Sequence, residues 1–452
     1  MNNRQRIDVQ DFMDSRQAGR LQWTVVSLIF IFCLIDGFDA TLIGFIAPHI
    51  KAEWSLSATD LSPIFGIGMI GLFVGGMVCG PLADRFGRKP VLIWAVLFFG
   101  IATLATAFVN GITLLLLVRL LTGIGLGGAM PVALTYVAEY APANQRSRMT
   151  AWAGIGFMLG GAASGQVVAL LDTSLGWRGI MVIGAVLPFS LAIGLFLFMP
   201  ESLRYLVIRG HKPSEVSKIV ERMAPSMQLE LVHNRGVRDT GGKSRLKNLF
   251  GEGVWVVTAL LWITFSSSLF LFYLLSSWMP TILNASGMTI KNASTLSAVF
   301  FTSGAVGMLI LSWAMDKFRP EIVLSLAYTA GAFVVLFIGR PGESTLTFLL
   351  IVVFGLCVGG AQSILPALVA GCYETTIRAT GVSWASAIGR SGAFLGSIFG
   401  GVMLTSNFSS QQIFSSLALP AMAAAIALAI LIRIRTKSAT AFTAPMQSRI
   451  KS

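Results

Sequence analysis

Seven uncharged apolar runs, 91–109, 179–199, 253–283, 292–315, 322–339, 344–373 and 411–432, set the terms for this chain. Each matches or exceeds the roughly 17–25 residues a helix needs to cross ~30 Å of hydrocarbon. Five further stretches, 21–50, 61–83, 112–138, 149–171 and 379–406, complete a set of twelve with at most two charges each. In lipid a backbone must satisfy its own hydrogen bonds, so such runs become helices. Composition agrees: 55% of the chain is hydrophobic and only 12% charged, with a mean hydropathy of +0.76. A soluble domain carries about 25% charged residues. The expected fold class is an all-α polytopic membrane protein with twelve transmembrane helices.

Charge gives the orientation. Residues 1–20 are polar, and the apolar run that follows is too long for the core of a cleavable signal peptide. Counted from an inside N-terminus, 27 of the 33 Lys and Arg residues fall on the cytoplasmic side. Only Lys51, Arg178, Lys291 and Arg340 fall outside, and Arg119 and Arg390 lie within spans. The reverse topology violates the positive-inside rule. Both termini are therefore expected in the cytoplasm. The net charge of +13 reads as a topology signal with affinity for anionic membrane lipid, not as a nucleic-acid surface. Cys33, Cys79, Cys357 and Cys372 are isolated, with no CxxC or metal-ligand spacing, so neither a metal, a cofactor nor a disulfide framework is expected.

The longest hydrophilic stretch, 200–251, holds ten Lys and Arg residues and separates six spans from six. The expected organisation is a cytoplasmic segment 1–20, a six-helix bundle 21–199, a central loop 200–251, a second bundle 252–434 and a tail 435–452. Residues 213–230 have the makings of short surface helices interrupted at Pro225, and the basic tail after Arg433 is expected to be disordered. The two halves match at a constant offset of 232 residues. Trp23 meets Trp255, Phe38 meets Phe270, Pro48 meets Pro280 and Gly75 meets Gly307. Asp84-Arg85-Phe86 meets Asp316-Lys317-Phe318, and Gly127-Gly128-Ala129 meets Gly359-Gly360-Ala361. Arg146 meets Arg378, and Trp152 meets Trp384. A parallel repeat of six spans fits a transporter whose halves move about a site near the midplane.

Four motifs carry a family resemblance. The segment "GPLADRFGRKP", 80–90, resembles the loop between spans 2 and 3 of the major facilitator superfamily, and "DKFRP", 316–320, is its degenerate copy in the second half. The run "RLLTGIGLGG", 119–128, is similar to the family's fourth span, and "PESLRYL", 200–206, resembles the segment after its sixth. Span 5, with "GIGFMLGGAASG" at 154–165, lacks the Gly-Pro pattern that resembles the superfamily's antiporters, which favours symport. Within the superfamily, Asp36-Gly37-Phe38-Asp39 in span 1, Arg119 in span 4 and Arg390 in span 11 resemble the aromatic acid:proton symporters. The resemblance implies the twelve-helix fold in two pseudo-symmetric halves, a place in the bacterial inner membrane, and uptake of a benzoate- or hydroxybenzoate-class acid with a proton. It also implies roles for Asp36, Asp39, Asp84, Arg119, Glu139, Asp316 and Arg390. Partners beyond substrate, proton and lipid are not expected, and the chain is expected to act as a monomer.

The residues support a site of their own. Near the bilayer centre an ionised carboxylate costs roughly 2.5–3.5 kcal/mol on insertion scales, so Asp36 and Asp39 need a reason to be there. Three residues apart, they share one helix face. Span 1 is expected to end near Pro48 and span 4 to start near Gly111; at ~1.5 Å per residue Asp39 lies roughly 14 Å below the first and Arg119 roughly 12 Å below the second, so the depths match. Two acids and one base leave a surplus carboxylate that stays neutral by binding a proton. Glu139, at the inner mouth, is a further proton-coupling candidate. Arg390 has no acid in its own span, which points to an anionic ligand, because a guanidinium suits a carboxylate by bidentate hydrogen bonding. The plain alternatives are that Arg119 is fully occupied by Asp36 or Asp39, and that Arg390 pairs with an acid or backbone carbonyls elsewhere. In span 7, Phe270 and Tyr273 are candidates to clamp an aromatic substrate, with packing as the alternative. Gly123, Gly125, Gly127 and Gly128 read as packing positions. Asp84, Arg85, Gly87, Arg88 and Asp316 are candidates for a conformational latch, with topology alone as the alternative.

Other classes fare worse. The segment "GVRDTGGKS", 236–244, has P-loop character with its spacing off by one and no strand before it. No nucleophile–base constellation occurs in the spans, so an enzyme is not expected. A transporter-like sensor is disfavoured by the short tails. A facilitator, or a proton symporter for another organic anion or small metabolite, is the second reading. The orientation has a direct check. Single cysteines introduced at Ser57, Ser214 and Ser438 should react with an impermeant thiol reagent in intact cells only at position 57; labelling of Ser214→Cys from outside would overturn the topology.

Overall fold

The computed structural model describes residues 5–209, 213–223, 229–232, 249–251, 254–339, 344–374 and 377–448. The P-loop-like segment 236–244, Pro225 and Arg340 lie outside these. Ten helices among the described residues are long and apolar enough to cross a membrane. In order these are α1 (Arg20–Glu53), α2 (Ala58–Phe86), α3 (Arg88–Thr106), α4 (Ile112–Tyr140), α5 (Arg146–Phe198), α6 (Val254–Ala285), α7 (Ile290–Lys317), α9 (Thr345–Cys372), α10 (Thr380–Thr405) and α11, which runs with its lead-in from Ser410 to Thr436. The shorter apolar helix α8 (Pro320–Val335) lies between α7 and α9. Gly176 in α5, with φ 62° and ψ 175°, breaks the helix without a loop, so α5 supplies two spans. The ten helices, the second limb of α5 and α8 account for the twelve expected spans.

Three local expectations are corrected. Span 1 does not end near Pro48: α1 continues through it to Glu53. Residues 213–230 hold one helix, Pro213–Met223, and then enter a strand, Leu229–Val232, which pairs in parallel with Gln5–Asp8. The tail after Arg433 is helical as far as Ser448. The N-terminal segment is also more than a polar lead. Val9, Phe12 and Met13 join one apolar cluster with Tyr205, Leu206, Ile219 and Val220. Arg146 holds Asp14 at 2.7 Å, and Arg16 donates to the Met223 carbonyl at 3.1 Å.

Contacts divide the chain into two units, Met1–Leu56 with Pro63–Asp239, and Ser57–Ser62 with Thr240–Ser452. Helix starts repeat the sequence offset: Ala58 to Ile290, Ile112 to Ser344 and Arg146 to Arg378 are each 232 residues apart. Packing repeats it too. Without water to expel, membrane helices associate where small residues let backbones approach. In the first unit a Cβ on Gly160 would overlap the Leu34 carbonyl, and in the second a Cβ on Gly392 would overlap that of Ser266, the equivalent residue. Gly75 on Ile124 and Gly307 on Leu356 form a second equivalent pair, and Gly123 on Gly68 and Gly355 on Phe300 a third. These seams join α1 to α5 and α2 to α4 in the first unit, and α6 to α10 and α7 to α9 in the second.

Overpacking such a seam should cost at least about 1–3 kcal/mol. Gly160→Leu and Gly392→Leu are expected to lower the Tm of the detergent-solubilised protein by several degrees. Gly154→Leu, on α5 but with open space around it, should leave Tm unchanged.

Candidate functional site

The charged centre of the first unit is built on α1, α3 and α4. Asp36, Asp39 and Arg119 are 4%, 2% and 5% exposed, so all three are withdrawn from solvent. The direct acid–base pair expected from matched depth does not form among the described residues; Asp39 and Arg119 each bond a threonine of α3 instead. Thr103 Oγ1 donates to Asp39 Oδ1 at 2.5 Å, and Arg119 Nη2 donates to Thr106 Oγ1 at 3.2 Å. Thr103 and Thr106 are three apart, so one face of α3 presents both hydroxyls. Asp36 lies one helical turn before Asp39 on α1, so the two carboxyls share a face. Asp39 Oδ2 and Arg119 Nε are buried without a hydrogen-bond partner, and among the described residues none is found for the Asp36 carboxyl. A buried polar atom left so costs about 1–3 kcal/mol, and the centre therefore has unused capacity for a proton or a polar ligand.

A second network occupies the end of the unit where α2 meets α3. Gly87 has φ +103°, and a Cβ there would run into Glu201, so only glycine suits the "DRFGRK" turn. Glu201 Oε1 accepts the backbone N–H groups of Arg88 at 3.0 Å and Lys89 at 3.2 Å, capping the start of α3. Arg88 lies 3.2 Å from Glu139 and 3.4 Å from Asp84. Glu139 also accepts from Ser202 Oγ at 2.6 Å, so it belongs to this network and is 8% exposed. Asp84 is 75% exposed, and its carbonyl accepts from Arg209 at 3.0 Å. The Arg85 side chain lies over Phe86, and its carbonyl accepts from Tyr205 Oη at 3.0 Å. The loop is thus tied to the segment after α5 by main-chain contacts as well as charge.

In the second unit, Arg390 is half-buried on α10 and engaged in the fold, so want of a partner no longer argues for a ligand there. Phe270 is half-buried with its ring 5.9 Å from Phe399, and its carbonyl faces the Gly396 seam. Tyr273 is half-buried and meets Phe272 edge-on at 5.5 Å. Asp316 is exposed at the end of α7 with no ion pair among the described residues.

The sequence matches the Major Facilitator Superfamily over residues 29–370 and 261–450. The chain belongs to the major facilitator superfamily. It is 37% identical over 440 residues to the gallate transporter of Pseudomonas putida, covering 97% of this chain and 98% of that one. It is 38% identical over 422 residues to the 4-hydroxybenzoate transporter PcaK of Pseudomonas aeruginosa, covering 92% and 94%. The inward-open xylose transporter XylE of Escherichia coli has the same fold, with a TM-score of 0.70 at 17% identity over 90% of this chain and 95% of that one. Both sequence relatives are named as transporters, consistent with a non-enzymatic, multi-pass membrane protein.

Several residues of this superfamily member escaped the sequence reading. Thr103 and Thr106 carry no charge to flag them. Glu201 lies within "PESLRYL", but nothing local shows that it caps α3, 112 residues away at Lys89. In the second unit Ser268 lies 2.5 Å from Tyr328 Oη and donates to Gln362 Oε1. Since the serine proton goes to Gln362, Tyr328 is the donor to Ser268. This polar centre sits on Ser268, the register equivalent of Asp36. The charged cluster at the start of α8 joins Arg435 to Glu321, with Arg319 3.9 Å away, and a periodicity scan has no sight of it.

Glu201 gives this network a pH signature. Burial pushes its carboxyl above the usual carboxylate range, and the N–H groups of Ser202, Lys89 and Arg88 pull it partly back. Because the folded value exceeds the unfolded one, its stabilising contribution is full below the unfolded pKa and is lost as pH rises through the folded value. Glu201→Gln should remove that slope from Tm measured across the acid-to-neutral range while keeping an oxygen for the cap. Glu201→Ala should remove both the slope and the cap, the lost cap costing about 1 kcal/mol.

Proposed function

We propose that the protein takes up an aromatic carboxylate of the benzoate or hydroxybenzoate class together with a proton, by alternating access. The observation that carries this reading is the buried Asp36–Asp39–Arg119 centre with its unfilled donor and acceptor. The relatives named for gallate and 4-hydroxybenzoate supply the substrate class. Asp39, held by Thr103, is the acid that balances Arg119. Asp36, buried beside it and without a hydrogen-bond partner for its carboxyl among the described residues, is the acid that takes the coupling proton. The two titrate as a pair, so the proton is a property of both.

The substrate carboxylate is received by Arg390 through paired guanidinium hydrogen bonds, with Arg119 as the second cation within the spans. Phe270 and Tyr273 offer ring faces to the aromatic body. Anion and proton then cross together, which removes much of the cost of moving a charge through hydrocarbon. Asp84, Arg85, Gly87 and Arg88, with Asp316 in the second half, form the latch of one conformational state, and Glu139 braces it through Arg88. The protein works as a monomer in the bacterial inner membrane, with both termini in the cytoplasm.

Uptake by vesicles against aromatic and aliphatic acids, with the pH gradient imposed or collapsed, tests the reading. Asp36→Asn should abolish gradient-driven accumulation while sparing substrate exchange. Asp39→Asn should also weaken folding, since it leaves Arg119 buried and uncompensated at a cost of about 3–5 kcal/mol. Arg390→Gln should raise KM about 10- to 100-fold, as loss of charge-assisted hydrogen bonds does. If both Asn variants still concentrate substrate on the gradient, the acid pair is structural and coupling moves to Glu139.

A further inference from the structure

Where α1 enters the bundle, two hollows meet. One is a groove of about 750 Å³ running along α1 from Arg20 past Trp23 and Leu28 to Ile31, with Phe198 at the end of α5 on its other side. The other is a recess of about 200 Å³ whose lining includes Arg16, Arg20 and Arg222. Gly19 and Arg20 line both. The groove is apolar and open to the surroundings: Trp23, Ile31 and Phe198 are 46%, 43% and 60% exposed. The recess is basic. Among the described residues no hydrogen bond or ion pair engages the Arg20 or Arg222 side chain, and the nearby Asp14 is taken by Arg146 at 2.7 Å. Arg16 is held in place by the Met223 carbonyl and by the Phe12 ring beneath its guanidinium.

We propose that these hollows form a binding site for one anionic phospholipid, its phosphate in the recess and one acyl chain in the groove. The dimensions fit. From Arg20 to Ile31 the helix rises ~16 Å, about half of the ~30 Å hydrocarbon core and so the depth of one leaflet. The charges fit as well, because Arg16, Arg20 and Arg222 line the recess and no Asp or Glu is among its described lining residues. Trp23 stands where an aromatic ring favours the boundary between headgroup and chain. On the orientation proposed above, this is the cytoplasmic leaflet. Arg222 belongs to Pro213–Met223 and Arg16 follows Val9–Asp14, so the lipid would tie the N-terminal segment and the start of the central loop to α1.

Native mass spectrometry of the full-length protein in detergent tests this, with phosphatidylglycerol and phosphatidylcholine of identical chains as probes. Wild type should retain phosphatidylglycerol on the order of 100-fold better, since each of the three arginines near an anionic headgroup is worth about 1 kcal/mol. Arg20→Gln/Arg222→Gln should lose that preference, and Arg148→Gln, an exposed arginine away from both hollows, should keep it. Ser27→Trp, which fills the groove, should lower retention of both lipids. An unchanged preference in the double variant, an equal loss in Arg148→Gln, or full displacement of the lipid by inorganic phosphate would each overturn the proposal. Each variant is first shown to be monodisperse with a wild-type Tm. Because the readout is lipid retention, failure of the transport reading would leave it untouched.

Discussion

Hydrocarbon offers no hydrogen bonds, and every part of this molecule is arranged around that fact. The backbone folds into helices that satisfy themselves. The helices meet at glycines, where main chain can touch main chain. Polar side chains turn inward and find hydroxyls, as Asp39 finds Thr103 and Arg119 finds Thr106. The few groups left without a partner, Asp39 Oδ2 and Arg119 Nε among them, are then conspicuous. Their burial is costly unless some step of the working cycle uses them.

What the sequence could disclose followed from one-dimensional signals. Hydropathy marked the spans, and a constant register marked the repeat, which reappears in equivalent close contacts such as Gly160 on Leu34 and Gly392 on Ser266. Charge in an apolar run marked Asp36, Asp39 and Arg119, and burial of all three agrees. The rest lay in facts that no linear pattern holds. A single left-handed glycine at 176 replaces the loop expected between two spans. Pro48 stays inside its helix, although a proline signals an end. The partners of the charged centre are threonines, common in any span, and the cap on α3 comes from a glutamate beyond α5. Helix rotation and long-range side-chain reach decided each of these cases.

The two halves are alike in frame and unlike in chemistry. At the position where the first has Asp36, the second has Ser268, wired to Tyr328 and Gln362. At this register position one half holds an ionisable carboxyl and the other a neutral hydrogen-bonding chain that ends in an amide, while the second half carries its charge within a span elsewhere, at Arg390 on α10. The uptake proposed above has use for that division, since a neutral amide and hydroxyl can hydrogen-bond a polar ring substituent without adding charge.

Helix α9 takes this divergence further. It contains a π turn, Gly355–Gly359, that α4 lacks, although both spans begin and end at the same register. A wider turn changes the local winding of a helix. Here it is absorbed in place, since Gly359 and Gly360 at its end meet Gly304 and Gly307 as Gly127 and Gly128 meet Leu72 and Gly75. The two spans keep equal length and the same seam glycines, so a change of helix type can sit inside one repeat and leave its packing surface where the other repeat has it.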